Sequence, residues 1–378
     1  MKGRSQTMRF LHTADWHIGK KLHGHSLIEE QRDALEQIQK LALDNDVDAI
    51  VVAGDVYDRS LPNETAVRLV DEMTEKINLN TRLPLLMISG NHDSAPRLAT
   101  GAKWFKQADF YLYTKLSEAF EPVEFQDTQF FLLPYFELQE ARNNFPGENI
   151  TSLPQAMQLV VSKMQEKFDP AKKHVLVAHF FVAGSLRTQS ETKFEVGGLN
   201  AVPLDIFDTF DHVALGHLHD KNALKSPKIK YSGSLLKYSI SESNSQKGAW
   251  LVDTKTSEYK WLELKPLHDI VTLTGSFSDL TKRPADVDDF YALTVTDETE
   301  IIDMVSTLRK YYPKLLTVER KQREQKEEAI KQLNVKDQTP AELLTDFFEY
   351  ITGKKMTKAQ QKWAKEGLDV LKKAGEDK

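Results

Sequence analysis

Short β-rich runs that each end in an aspartate, asparagine or histidine, with amphipathic stretches between them, constrain this chain more than any other feature. "MRFLHTAD" (from Met8), "VDAIVVAGD" (from Val47) and "LPLLMISGN" (from Leu83) are the first three. Between them Leu27, Ile28, Leu35, Ile38 and Leu41 fall at helical spacing, as do Val67, Val70, Met73 and Ile77. Strand and helix in alternation, with short connections, predict βαβ units and a mostly parallel sheet. A second set follows: "FYLY", "EPVEF" and "QFFLLP", a helix from about Leu153 to Phe168, then "KHVLVAH", "HVALGH", "IKYSGS", "GAWLVD" and "YKWLEL". The close spacing of the later strands predicts antiparallel pairing among them. The expected class is α/β: two packed mixed β-sheets flanked by helices, with a small α/β domain and a helical tail appended.

A chain of 378 residues is long enough for two or three domains. The pattern changes near Pro266, after which strand, strand, helix and strand recur up to Glu319. The expected boundaries are 8–265 for the main domain, 268–320 for the small one, 321–338 for a charged linker and 339–374 for the tail. In the tail, Thr339-Pro340-Ala341-Glu342 is a capping box with proline at the first helical position. Leu343, Leu344, Phe347, Phe348 and Ile351 make one apolar stripe, and Gly353 is the expected stop. Thr357 to Gln360 repeats the start signal before Trp363, Leu368 and Leu371. No internal repeat suggests a solenoid.

Cysteine is absent, so disulfides, thiolate-held zinc and a cysteine nucleophile are excluded, and any metal falls to His, Asp, Glu or Asn. The net charge of −6 argues against a molecule that binds nucleic acid through its overall charge, and leaves room for local basic patches. No apolar run reaches the length of a membrane span. "MKGRSQT" lacks a signal-peptide core and is expected to be a leader outside the fold; the expected location is cytoplasmic.

Asp15 and His17 follow the first strand, Asp55 the second, and Asn91, His92 and Asp93 the third. Later, His179 ends "HVLVAH", and His217 and His219 end "HVALGHLH". In a parallel arrangement the ends of these strands share one rim, where α/β sheets form their ligand crevices. A single histidine at a strand end is ordinarily a hydrogen-bonded surface group. Five motifs in order, each after a strand, are not independent accidents. Asp15, His17, Asp55, Asn91, His179, His217 and His219 form a nitrogen and oxygen donor set suited to Mn²⁺, Fe or Zn²⁺ rather than Ca²⁺. Two ions about 3.5–4 Å apart, bridged by one carboxylate, would use them all, and Asp55 on a middle element is the best bridge. His12, His23, His25 and His174 lack this context, and Asp58 suits either a supporting hydrogen bond or a turn cap.

The series D-x-H, G-D-x-x-D, G-N-H-D, a lone His after a strand, and G-H-x-H resembles the calcineurin-like metallophosphoesterase superfamily. "LHTADWHIGKKL", "AGDVYDRSLP", "SGNHDS", "VGGLNAVPLDIFDTFDHVALGHLH" and "YSGSLLKYSISE" are similar to the nuclease subunits of bacterial double-strand-break repair complexes, which work with an SbcC-type ATPase. The similarity runs from Met8 to about Leu264. It implies one metal on Asp15, His17, Asp55 and His219, and the other on Asp55, Asn91, His179 and His217. His92 would be the catalytic histidine, with Asp93 orienting its ring. The resemblance further implies two Mn²⁺ ions, with Mg²⁺, Fe or Zn²⁺ as substitutes, and a 3′→5′ exonuclease on duplex DNA that also cuts single strands and hairpins. It implies a DNA-binding cap at 268–320 and a tail docking at the ATPase's coiled coil. It also implies a homodimer through helices starting at Leu27 and Asn63. Lys20, Lys21, Arg59, Arg97 and Arg187 near the rim are candidate phosphate contacts.

Overall fold

The structure, a computed structural model, describes residues 8–186, 201–282, 286–321 and 339–376. The expected leader, Arg187 and nearly all of the charged linker lie outside the described residues. The chain divides into two units, one up to Lys321 and one from Gln322 on.

Among the described residues, the first unit is built on two large sheets. In the six-stranded one, Arg9–Thr13, Ala49–Ala53, Leu85–Ile88 and Phe110–Tyr113 lie parallel and in order. Gly248–Asp253 pairs antiparallel with the first of these, and Glu258–Glu263 pairs antiparallel with Gly248–Asp253 at the edge. The five-stranded sheet runs Ile229–Tyr231, His212–Gly216, Lys173–His179, Thr128–Leu133 and Val123–Phe125. Only its last pair is antiparallel.

The antiparallel expectation for the later strands therefore holds for "GAWLVD" and "YKWLEL" but fails for "HVALGH" and "IKYSGS". Residues 217–228 return the chain from the carboxyl end of the sheet to its amino end, so His212–Gly216 and Ile229–Tyr231 run parallel. Short sequence spacing alone does not make a hairpin; a tight turn does. "FYLY" likewise joins the edge of the first sheet.

Strand alternation builds the layers. Phe10, Val51, Ile88, Phe130, Leu132, Val175 and Val177 meet in one buried cluster between the two sheets. The opposite faces carry Leu11, Val52 and Met87 against Ala34, Leu35, Ile38, Leu69 and Met73 of helices Ile28–Asp44 and Glu64–Thr74. Phe131, Leu176 and Leu215 pack under Met157, Val160 and Met164 of helix Leu153–Gln165. The result is helix, sheet, sheet, helix, with the carboxyl ends of both sheets at one rim.

Residues 270–320 form a sheet of their own, Ile270–Gly275, Phe290–Val295 and Lys314–Arg320, all parallel, with helix Met304–Tyr311. Leu280, Tyr291, Leu293, Val295, Leu308 and Tyr312 are its core. Ile270, Phe290 and Leu316 instead join the large cluster on the outer face of the six-stranded sheet. The second unit is a helix pair, Pro340–Thr352 and Lys358–Glu376. Thr339 and Glu342 make the expected reciprocal cap, and Gly353 ends the helix with φ of 62°. No helix among the described residues is long and apolar enough to cross a membrane.

Candidate metal centre

Each strand at the rim hands the chain to a turn, and several turn residues occupy a backbone region that side chains disfavour. Asp15 (φ 50°), His17 (45°), Asp55 (51°) and His217 (94°) all lie in the left-handed half of φ space. Such positions cost about 1–3 kcal/mol each and collect at functional sites. Cross-links hold the turns in this shape. The Asp15 and His17 amides donate to the carbonyls of Gly54 (3.0 Å) and Asp55 (2.9 Å), tying the first two turns side by side. The His217 amide donates to both Asp15 carboxylate oxygens, at 2.9 and 3.0 Å, linking one sheet to the other.

The glycines of the motifs have a steric reason. A Cβ on Gly90 would stand 2.2 Å from Asp55 Oδ1, and one on Gly216 would stand 2.0 Å from the Ala53 carbonyl oxygen. Gly90→Ala is accordingly expected to destabilise the protein by about 1–3 kcal/mol, because the clash is with fixed atoms. Urea unfolding checks this; an unchanged midpoint would contradict the packing.

The candidate ligands converge in two groups. In one, His17 Nε2 lies 3.1 Å from His219 Nε2 and 3.6 Å from Asp55 Oδ2. In the other, His179 Nε2 lies 3.0 Å from Asn91 Oδ1 and 3.3 Å from Asp55 Oδ2, and His217 Nδ1 lies 3.0 Å from Asn91 Oδ1. Asp55 belongs to both. Asp15, His17 and His219 bring one donor atom each within 4.8 Å of one another, as do Asp15, Asp55 and His179. Asp15, His17, Asp55, His179 and His219 are buried. Imidazole nitrogens and carboxylate oxygens bind a metal at about 2.0–2.2 Å, so neighbours in one shell stand about 3 Å apart. The observed spacings fit that geometry.

Charge among these side chains is divided accordingly. Burial drives His17 down to about 3, outweighing the pull of Asp55, and holds His219 well below its usual value, helped by His17 and Lys247. Burial also opposes charge on His179, but Asp55 and Asp15 beside it raise its pKa to about 9. Burial works against the Asp55 carboxylate too, yet His179 and His17 hold it well below the ordinary carboxylate range. His179 Nδ1 donates to the Ala53 carbonyl at 2.8 Å, which turns Nε2 toward Asp55 and Asn91. A backbone carbonyl on the far nitrogen is the usual way a ligating histidine is oriented.

His92 sits at the edge of this group, its amide donating to Asp55 Oδ1 at 2.8 Å. The expected contact between Asp93 and the His92 ring gives way to a different arrangement. The Asp93 carboxylate accepts from the amides of Val56 (3.1 Å), Tyr57 (2.9 Å) and Gly90 (2.9 Å), and three donors leave it turned into the backbone. Burial and the charge of Asp55 nevertheless push Asp93 up to about 6. The His92 ring is held instead by the Asp58 carbonyl, to which Nδ1 donates at 2.9 Å. The Asp58 side chain pairs with Lys20 (2.8 Å) and Arg59 (3.3 Å). Arg97 donates to the Ser60 carbonyl, and Lys21 and Arg59 line a surface hollow beside Asn63.

Of the histidines set apart, His12 is buried on the Leu215 carbonyl and His174 stacks on Phe168. The supporting role of the Asp58 carbonyl has no sequence signature, since any residue type carries one. Nor does that of Gln31, whose amide reaches the His17 turn from a helix.

The family description "calcineurin-like phosphoesterase" matches residues 8–221, and "type 5 capsule protein repressor C-terminal domain" matches residues 266–352. A protein of Staphylococcus epidermidis, named as the SbcD subunit of nuclease SbcCD, is 32% identical over 370 residues, covering 96% of this chain and 99% of that one. Its namesake from Staphylococcus saprophyticus is 32% identical over 377 residues, covering 97% and 100%. Among solved structures, TT1561 of Thermus thermophilus aligns over 68% of this chain and all of that one, at 13% identity and a TM-score of 0.42. The family's fold implies a dinuclear centre of divalent ions, and the donor spacing at this rim suits one. The chain belongs to the calcineurin-like phosphoesterases and, along nearly its whole length, to the family of SbcD nuclease subunits.

Proposed function

We propose that this chain is the Mn²⁺-dependent nuclease subunit of a DNA-break-processing complex, hydrolysing phosphodiesters at the rim of its two sheets. The observation that carries the reading is Asp55, whose carboxylate lies in both donor groups. One ion would be held by Asp15, His17, Asp55 and His219, the other by Asp55, Asn91, His179 and His217. When bound, a pair of divalent ions neutralises the phosphate's anionic oxygens and lowers the pKa of water from 15.7 toward about 7.

The protein's own groups supply the rest. His92 Nδ1 donates to the Asp58 carbonyl, so in this reading Nε2 is the nitrogen that meets the substrate. From there His92 protonates the departing sugar oxygen, a contribution typically worth about 10²–10⁴-fold. Asp93 acts through the backbone, pinning the Asn91-His92 turn against the Asp55 turn. Lys20, Lys21 and Arg59 approach the DNA backbone. The substrates in this reading are duplex 3′ ends, single strands and hairpins, with an SbcC-type ATPase controlling access in the cytoplasm. Residues 8–265 would be the nuclease domain and 268–320 a DNA-binding cap. Helices Ile28–Asp44 and Glu64–Thr74 would join two copies. An assay with end-labelled duplex DNA tests the reading: nucleotides should be released only with Mn²⁺, and faster with the ATPase and ATP. No Mn²⁺-dependent release under either condition would end it.

The tail at 339–374 is read as the ATPase's docking element, reached through the linker at 321–338. Phe347 is 59% exposed and Trp363 is 68% exposed, more apolar surface than a helix pair keeps in water without a use. An amphipathic helix laid in a partner's groove is the simplest use. Phe347→Glu with Phe348→Glu should leave Mn²⁺-dependent cleavage of short single strands nearly intact and abolish co-purification with the ATPase. A double mutant that still forms the complex at wild-type affinity refutes the docking role.

A further inference from the structure

Gln31 is fully buried on the first turn of helix Ile28–Asp44, and its amide spans the turn that carries His17. Its Oε1 accepts from the Gly19 amide at 3.0 Å. Its Nε2 donates to the His17 carbonyl at 2.8 Å and lies 3.1 Å from the Tyr238 hydroxyl. That hydroxyl in turn donates to the Trp16 carbonyl. One side chain therefore holds the turn on both sides of Ile18, between His17 at φ 45° and Gly19 at φ 93°. Only a primary amide presents a donor and an acceptor side by side for this purpose.

The neighbouring residue points the other way. Glu30, also buried, places Oε1 2.9 Å from His268 Nδ1 and 3.7 Å from Lys314 Nζ. His268 Nδ1 is itself 3.2 Å from Lys314 Nζ, and Lys314 begins the last strand of the small sheet. A cleft of about 210 Å³ borders Glu30, His268, Leu235 and Phe290. Beside the apolar contacts of Ile270, Phe290 and Leu316, the contacts of Glu30 form a polar link across this joint.

We infer that the first turn of helix Ile28–Asp44 couples the position of the small sheet domain to the His17 side of the metal centre. Gln31 is a positioning residue for His17, and Glu30 ties the turn it stands on to His268 and Lys314. A shift of the small domain that pulls on Glu30 moves Gln31, and with it the His17 ring relative to Asp55 and His219. The Asn91 side, held by other strands, is left alone. The inference rests on the reading of His17 as a metal ligand.

Mn²⁺ titration of the full-length chain, followed by calorimetry and by electron paramagnetic resonance, tests it. His17→Ala serves as the control and should remove one of two sites. Gln31→Met preserves the volume but removes the amide; it should weaken that same site by about 10–100-fold, as losses behind a ligand usually do. The second site should stay close to wild type, while the melting temperature should fall because the His17 carbonyl and Gly19 amide lose a buried partner. Glu30→Gln should weaken the same site by about fivefold, the low end of an allosteric coupling. Two sites of wild-type affinity in either variant overturn the inference while the ligand reading stands. Equal weakening of both sites also overturns it, because that marks a general structural effect. If His17→Ala removes no site, the ligand reading fails and takes this inference with it.

Discussion

Asp55→Asn should abolish metal binding and nuclease activity together. Asp55 Oδ2 stands 3.6 Å from His17 Nε2 and 3.3 Å from His179 Nε2, so one oxygen serves both donor groups. Two divalent ions about 4 Å apart repel with four times the energy of a unit pair, roughly 16 kcal/mol at an effective dielectric constant near 20. A shared carboxylate is the group that offsets this repulsion. An amide brings no charge and turns either an oxygen or two N–H donors toward the histidines. The amide oxygen can still accept the His92 N–H that Asp55 Oδ1 now holds at 2.8 Å, so the fold should survive. Calorimetry decides the matter: stoichiometric binding of two Mn²⁺ per mutant chain would contradict the bridging role.

His92→Leu should separate the chemistry from the metals. Both ions and DNA affinity should persist, while cleavage falls by about 10²–10⁴-fold, the usual worth of a general acid. The rival assignment is concrete, because His17, Asp55 and His92 also bring donor atoms within 4.8 Å of one another. If the mutant binds a single Mn²⁺, His92 is a ligand and the proton-donor role is lost. The ring's tie to the Asp58 carbonyl adds a second measurement. Single-turnover cleavage of a substrate with a better leaving group should recover much of the lost rate, since such a group needs no proton.

The tail helix shows how far local signals reach. Thr339 and Glu342 bond each other within one turn, Gly353 closes on the Glu349 carbonyl, and the cap and stop stand where the residue pattern puts them. The strand ends of the main domain are similar, since hydrophobic alternation and a polar terminus are written in consecutive residues. Pairing direction is not. "HVALGH" and "IKYSGS" run parallel because residues 217–228 return the chain to the amino end of the sheet, a path that depends on what the loop packs against. Asp93 makes the same point at the site. Its place beside His92 in the chain suggested a contact with that ring, yet the amides of Val56, Tyr57 and Gly90 converge on its carboxylate and claim it.

The sequence by itself determined which side chains stand at strand ends, and so which groups reach a common rim; the order and chemistry of Asp15, His17, Asp55, Asn91, His92, His179, His217 and His219 are legible there. Only the structure gives the reason for glycine at 90 and 216, where a Cβ would meet Asp55 Oδ1 and the Ala53 carbonyl. The tertiary structure alone decided which donors share a cluster and which group holds each ring. It placed Asp55 between His17 and His179, set the Asp58 carbonyl behind His92, and brought Gln31 from a helix to the His17 turn. The physical reason is range. Capping and alternation are settled by neighbours in the chain, whereas distances of about 3 Å between residues far apart in sequence follow only once the sheets have closed on their common core.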